Sequence, residues 1–322
     1  MHALIRQIIV GLGVLAAVST AAVAQTGYPN RPIRIVTPVP PGVAPDVMAR
    51  LYADQLSRSL GQPVTVENKP GASGNIGAEF VAKSPADGYT IFYAYNQIPT
   101  MNPHLFPKLG YDMARDLAPV TQTLSTAYVI LGSKDFPAKD LAGAIDYART
   151  NPEKVAYGSY GPGTAGHLIF EIIQEQANVK MLHVPYKQGA VADVMGGQIA
   201  MLAEPFPSAV PLAGSGKVRG LAVTSERRVA ELPGVPAMNE ALPGLNLLGW
   251  QGVWVPAGTP PDVLAKLNAE FVRITRTPEM QKRIADLAST PMGTTPQEMK
   301  AAIQRESRQW GALIKAKKIQ MD

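Results

Sequence analysis

The sequence predicts an α/β protein made of two units hinged to one another. Three observations predict it. Strand-like runs alternate with helical patterns as βαβαβ over residues 33–95, the same alternation returns from residue 155, and 322 residues exceed one average domain. Successive parallel strands need a helical crossover, so this pattern implies a mostly parallel sheet in each unit.

Residues 33–36, Ile-Arg-Ile-Val, read as the first strand. A proline-rich loop over residues 38–45 leads into a helix over 46–60, with Val47, Leu51, Leu56 and Leu60 near one face. Residues 64–67 form the next strand, the turn Pro70-Gly71-Ala72-Ser73-Gly74 enters a helix over 75–83, and Asp87-Gly88 opens an apolar strand over 89–95. In the second unit a strand over 155–157 meets a glycine loop, followed by a helix over 164–177. A strand over 181–184, a helix over 190–195 and strands over 199–203 and 218–224 come next. Residues 232–249, rich in Pro and Gly, read as connection. A strand over 250–255 and helices over 261–275, 278–287 and 296–315 complete the chain. Each of these helices opens on proline, whose missing N–H costs little in a first turn. The first unit therefore takes residues 25–125 with 249–322 and the second 126–248, with hinge crossings near residues 122–127 and 247–250.

The first 24 residues read as a secretory signal peptide. Arg6 is their only fixed side-chain charge, an apolar run over residues 8–18 follows, and Ala22-Val23-Ala24 is a cleavage pattern. The run is shorter than the ~20 residues of a membrane span, and no later segment reaches that length, so no stable membrane insertion is expected after cleavage. The formal charge of +5 includes Arg6 and is mild. With no run of five basic residues, nucleic acid is excluded as an expected partner, whereas an acidic small molecule fits. Cysteine is absent, which removes disulfides, thiolate nucleophiles and cysteine metal sites.

The most informative stretch is Tyr157-Gly158-Ser159-Tyr160-Gly161-Pro162-Gly163-Thr164-Ala165-Gly166-His167. It places a glycine loop between a strand and a helix start, where unpaired amides and the helix dipole suit an anion, with Ser159 and Thr164 hydroxyls at hand. The residues Pro38-Val39-Pro40-Pro41-Gly42-Val43-Ala44-Pro45 are its counterpart in the first unit. If the units face each other, two helix N-termini point into one cleft.

Competing chemistries lack their partners. Gly161-Pro162-Gly163-Thr164-Ala165-Gly166 matches G-x-G-x-x-G, but Tyr186 and Lys187 stand where a ribose-binding acid belongs. Gly214-Ser215-Gly216-Lys217 is followed by valine, not the Ser or Thr of a phosphate loop, and Gly71-Ala72-Ser73-Gly74-Asn75 has Asn75 where a nucleophile elbow needs glycine. His104, His167 and His183 have no zinc-site spacing, so neither metal nor cofactor is expected. His167 either orients the glycine loop or touches the ligand.

Several motifs in order carry a resemblance to a known family: Tyr28-Pro29-Asn30-Arg31-Pro32, Pro40-Pro41-Gly42, Glu67-Asn68-Lys69-Pro70-Gly71-Ala72-Ser73-Gly74, Asp87-Gly88-Tyr89-Thr90, Tyr157-Gly158-Ser159 and His183-Val184-Pro185-Tyr186-Lys187. Along essentially the whole mature chain the sequence resembles the Bug-type periplasmic receptors of tripartite tricarboxylate transporters. The resemblance implies a type II periplasmic-binding-protein, or Venus-flytrap, fold with an interlobe cleft, no catalysis, a carboxylate ligand and membrane permease subunits as partners. It implies a monomeric periplasmic receptor. Carried over by position, Pro41, Gly42, Val43, Ala44 and the helix start at Asp46 would contact the ligand from one lobe. Ser159, Gly163, Thr164, Ala165 and His167 would do so from the other.

Three departures bear on the ligand. Val43 replaces a second glycine of the family pattern and adds an apolar wall. Tyr95, Asn96 and Gln97 stand where Gly, Ser and Thr are usual; they either shape a pocket for an aromatic ring with polar ends or, for Tyr95, end a strand in the core. Glu204 follows a strand and either faces the cleft, where it would favour an ammonium or hydroxyl, or is a solvated strand end. The expected ligand is an aromatic acid first, an aliphatic dicarboxylate second and an amino-bearing acid third. A sensory receptor feeding a signalling partner, and a secreted enzyme, are the other function classes; the second lacks any nucleophile and base at recognisable spacing.

Overall fold

The computed structural model describes residues 27–321, so the expected signal peptide lies outside the described residues. The chain forms two sheets. In the first, β11 (Thr290–Pro291), β4 (Leu117–Thr126), β10 (Gly249–Pro256), β3 (Thr90–Tyr95), β1 (Ile33–Thr37) and β2 (Val64–Asn68) lie side by side in that order. In the second the order is β7 (Leu182–Pro185), β6 (Ala156–Ser159), β8 (Met201–Pro205), β5 (Tyr128–Ser133) and β9 (Val218–Val223).

Both sheets are mixed rather than mostly parallel. β1 pairs parallel with β2 and β3, and β6 with β7 and β8, as the βαβ pattern requires. The strands that carry the chain between sheets enter the other way: β10 is antiparallel to β3 and β4, and β5 to β8 and β9. Crossing strands arrive without a helical crossover, so nothing forces them parallel. The sequence reading left β4 and β5 unassigned.

Helices cover both faces of each sheet. On one face of the first sheet, α1 (Ala44–Leu60), α7 (Pro261–Thr275) and α8 (Pro278–Asp286) bury Met48, Tyr52, Leu56, Leu267, Phe271 and Ile284. The buried stripe of α1 runs through Met48, Tyr52 and Leu56, with Leu51 and Leu60 half-buried against the same core and Val47 exposed; the Tyr52 hydroxyl reaches Thr275 Oγ1 at 2.7 Å. The helix stops where Gly61 adopts φ 67° and donates its N–H to Ser57 O. On the other face α2 (Asn75–Ala82) packs Ala78 and Val81 against Phe92 and Trp254.

The second sheet is enclosed by α3 (Leu141–Thr150) and α4 (Ala165–Ala177) on one face, and by α5 (Ala190–Met195) and α6 (Phe206–Gly214) on the other. Helix α9 (Pro296–Ala316) joins the two cores. It opens with a capping box between Thr295 and Glu298, buries Met299 with Trp250 and Trp254, and inserts Trp310, Leu313 and Ile314 among α4 and β6 residues. At ~1.5 Å per residue its 21 residues reach ~32 Å, enough to bolt one layered unit to the other.

Candidate functional site

A cavity of about 230 Å³ lies between the two sheets, where the chain crosses from one to the other. Its floor is strand register: Gln251 of β10 sits opposite Tyr95 of β3 and Leu124 of β4, and all three line it. Directly paired residues project to one face of a sheet, so these side chains come together although 156 positions separate Tyr95 from Gln251. Thr126 and Tyr128 contribute from the outward crossing, Leu247 and Trp250 from the return, and Trp310 from α9. Helix starts make up part of the remaining wall.

Those starts carry the electrostatics. Ala44 and Pro45 open α1, Ala165 opens α4, and Pro205 and Pro207 stand at the head of α6. The N-caps of the first two, Val43 and Thr164, make no side-chain capping bond. Val43 has no acceptor to offer, and the Thr164 hydroxyl donates instead to Gly161 O at 2.8 Å. The N–H groups of Ala44, and of Ala165 and Gly166, therefore have no capping partner, while Pro45 has none to give. Helix α6 offers less, since Phe206 N–H already bonds Ala127 O and Pro207 has none. No Asp, Glu, Lys, Arg or His lines the cavity among the described residues, so helix dipoles supply its only strong positive field.

Of the residues singled out from sequence, Ala44, Tyr95, Asn96, Gln97 and Ala165 line the cavity. Pro41, Gly42 and Val43 form the exposed rim beside α1. Asp46 is buried, and its carboxylate accepts from Gly42 N, Arg50 and Asn68, so it holds the loop from behind. Burial would raise its pKa, but these donors outweigh that and hold it below the ordinary 3.8.

The glycine loop is held in the same manner by different chemistry. Gly163 N–H donates to His167 Nδ1 at 3.0 Å, which spends that amide and gives His167 the orienting role. His167 is buried and stacks on His183 with ring centroids 4.1 Å apart. Burial first, and His183 second, push its pKa down to about 4 against the pull of Glu171, so it is neutral at physiological pH. Ser159 is buried too; its hydroxyl bonds His183 Nε2 at 2.6 Å and Gly161 O at 3.1 Å. Gly163 packs on the first unit, where an added Cβ would stand 2.9 Å from Leu105.

Glu204 does not line the cavity. The residue is 4% exposed and its carboxylate accepts from Tyr160 at 2.6 Å and Ser208 at 3.1 Å, while burial pushes its pKa up. Tyr95 combines the two readings offered for it. It ends β3 half-buried, it lines the cavity, and Gly74 leaves room for its hydroxyl. Burial raises Tyr95 and Tyr128 to about 12, so both phenols stay protonated, and neither hydroxyl has a hydrogen-bond partner among the described residues. Asn96 ties the wall together: its N–H bonds Trp250 O at 2.9 Å and its side chain reaches Leu248 O and Glu306.

Residues 48–319 match the profile of the tripartite tricarboxylate transporter family receptor. The chain belongs to that family. BugT of Bordetella pertussis is 32% identical to this receptor over 311 residues, covering 95% of each chain. An R. palustris protein solved with adipate is 32% identical with a TM-score of 0.77, covering 89% of the receptor and 97% of its own chain. MatC from Rhodopseudomonas palustris, solved with bound malate, is 29% identical with a TM-score of 0.73 and covers 89% of the receptor and 100% of its own chain. The fold is that of this binding-protein family, and the receptor is not an enzyme. The sequence reading missed Tyr128, Trp250, Gln251 and Trp310, which no local motif marks.

Proposed function

We propose that the receptor binds a small organic acid between its two lobes and delivers it to the membrane subunits of a tripartite tricarboxylate transporter. The observation that carries this reading is the meeting of two uncapped helix starts, Ala44 of α1 and Ala165 of α4, at one cavity with no charged side chain in its wall. A carboxylate there takes hydrogen bonds from amides of both lobes and is favoured by both dipoles, so binding and closure are one event. The lobes are residues 25–125 with 249–322, and 126–248. The signal peptide read in residues 1–24 and the family's periplasmic setting support action in the periplasm. Tyr95, Tyr128, Trp250 and Trp310 give the ligand's body aromatic and apolar surroundings, which suits an aromatic acid; the adipate and malate of the two relatives support dicarboxylates as the next class. Glu204, turned to Tyr160 and Ser208, supports no amino group on the ligand.

Removing one amide tests the reading. Thr164 already has the extended ψ of 157° that a following proline requires, and the first helical position tolerates proline. Ala165→Pro deletes one N–H with the fold kept. A charge-assisted hydrogen bond is worth ~1.5–3 kcal/mol, so calorimetric titration with carboxylates is expected to show affinity down by roughly ten- to a hundredfold. Unchanged affinity in that variant would remove α4 from the site.

A further inference from the structure

The ligand cavity shares part of its wall with a second cavity. Leu247, Leu248, Trp250 and Trp310 line both the ligand cavity and a neighbouring space of about 340 Å³, so these residues partition the two. Glu306 of α9 lines the second space and not the first. It nevertheless holds two residues of the ligand cavity: its Oε1 and Oε2 accept from Trp250 Nε1 at 2.8 and 2.9 Å, and Oε2 also accepts from Asn96 Nδ2 at 3.3 Å. We propose that Glu306 is a positioning residue of the ligand site, which fixes the Trp250 ring and the Asn96 amide from behind and thereby sets the affinity for the bound acid without touching it. This rests on the organic-acid reading of the cavity.

Each contact leaves its partner little choice. Trp250 is 3% exposed, and its indole N–H has no acceptor besides Glu306 among the described residues. A buried donor left without an acceptor is costly, so with Glu306 removed the ring is driven to turn towards the open space beside it. Asn96 Nδ2 points at two acceptors, Glu306 Oε2 and Leu248 O, each at 3.3 Å; reversing the amide would set oxygen against oxygen, so its orientation is fixed as well. The backbones of the pair are joined too, Asn96 N–H to Trp250 O at 2.9 Å. One turn further along α9, on the same face as Glu306, Trp310 lines the ligand cavity and is buried among second-lobe residues. The clamp on the first-lobe wall and the anchor in the second lobe therefore stand on one helix, and a carboxylate carried by a helix holds its partners more closely than one on a loop.

Calorimetric titration of the mature protein with malate, adipate and benzoate tests this. Glu306→Met keeps the length and removes the acceptor, and affinity for the acid that wild type binds is expected to fall about tenfold. Glu306→Gln, whose amide oxygen still accepts the indole N–H, is expected to stay within about threefold of wild type. In a Trp250→Phe background, where no N–H is left to hold, Glu306→Met is expected to cost about threefold or less, because the two residues act through one bond. Glu306→Ala takes the place of the methionine variant if that one fails to fold. Unchanged affinity without the acceptor, an equal loss with glutamine, or an undiminished loss in the Trp250→Phe background would each overturn the inference and leave the organic-acid receptor standing. Binding of none of these acids to wild type would overturn both readings.

Discussion

The two loops that frame the cavity solve one problem with opposite chemistry. Each places a glycine four residues before a side chain in the first turn of the following helix, and that side chain accepts the glycine N–H: Gly42 to Asp46 at 2.8 Å, Gly163 to His167 at 3.0 Å. In the first lobe the acceptor is an ionised carboxylate shared with Arg50 and Asn68. In the second it is a neutral imidazole stacked on a second histidine. The loops differ in support as well. Nothing lies within 4 Å of a Cβ built on Gly42, whereas one on Gly163 meets Leu105 and Met321. The first loop is held by charge from behind and is open in front; the second is wedged between lobes. A ligand entering the cavity thus meets one preset rim and one surface whose position depends on the other lobe.

Removing the charged anchor gives the largest expected effect. Asp46→Ala strands Gly42 N–H, Asn68 and Arg50; because Arg50 is half exposed and rehydrates, the loss is about 2–3 kcal/mol rather than the full value of a broken buried pair. Urea unfolding measures it, and a cost below that of His167→Ala would break the contrast. Next come the glycines. Both have positive φ, 88° at Gly42 and 74° at Gly163, so alanine costs ~1–2 kcal/mol of backbone strain at each. Gly163→Ala adds displacement of the flexible end of Leu105 and should lose up to about 1 kcal/mol more. Equal melting temperatures for the two variants would mean that the lobes are not wedged there.

The smallest effect is one of pH. The pKa of His167 is lowered from 6.5 to about 4, so between those values the unfolded chain binds a proton that the folded chain does not. Its stabilisation is complete above pH 6.5 and falls away as pH drops towards 4, by at most ~1.4 kcal/mol per pH unit. Asp46, held below 3.8, contributes above that value and is lost only at lower pH, so the two windows do not overlap. His183, Glu171, Tyr157 and Lys317 surround His167, and His183 is lowered too, which leaves part of the slope in any single variant. His167→Gln, which keeps an acceptor, is expected to stay within about 1 kcal/mol of wild type at pH 7.5 and to flatten the decline between pH 6.5 and 4. A wild-type slope in that variant would show that the histidine titrates as an exposed group.

Local chemistry made much of this legible. The helix starts, the glycine loops, the N1 prolines of α7, α8 and α9 and the βαβ pairs all depend on residues a few positions apart. β4 escaped because Leu117–Thr126 contains Pro119 and five Ser, Thr or Gln side chains, with no alternation to mark it. It is a strand because β10 pairs with it along its length and β11 at its end. α6 escaped because Pro207 and Pro211 disguise a helix in which one proline stands at the start and the other lies inside. In α1 only Val47 departs from the expected stripe, being exposed, while Tyr52, a phenol counted as only half apolar, found its partner in α7.

The sequence by itself determined a two-lobed α/β receptor with glycine loops at its helix starts, since glycine, proline and the helix dipole act within a turn or two of where they are written. Tertiary structure decided which groups face the ligand. Only register brings Gln251 between Tyr95 and Leu124, and only the two crossings set Tyr128 and Trp250 in the same wall. Burial then decided their chemistry: it keeps both phenols protonated, and Glu204 is turned to Tyr160 rather than to the cavity. Desolvation is a property of the packed surroundings, which no local run of residues contains.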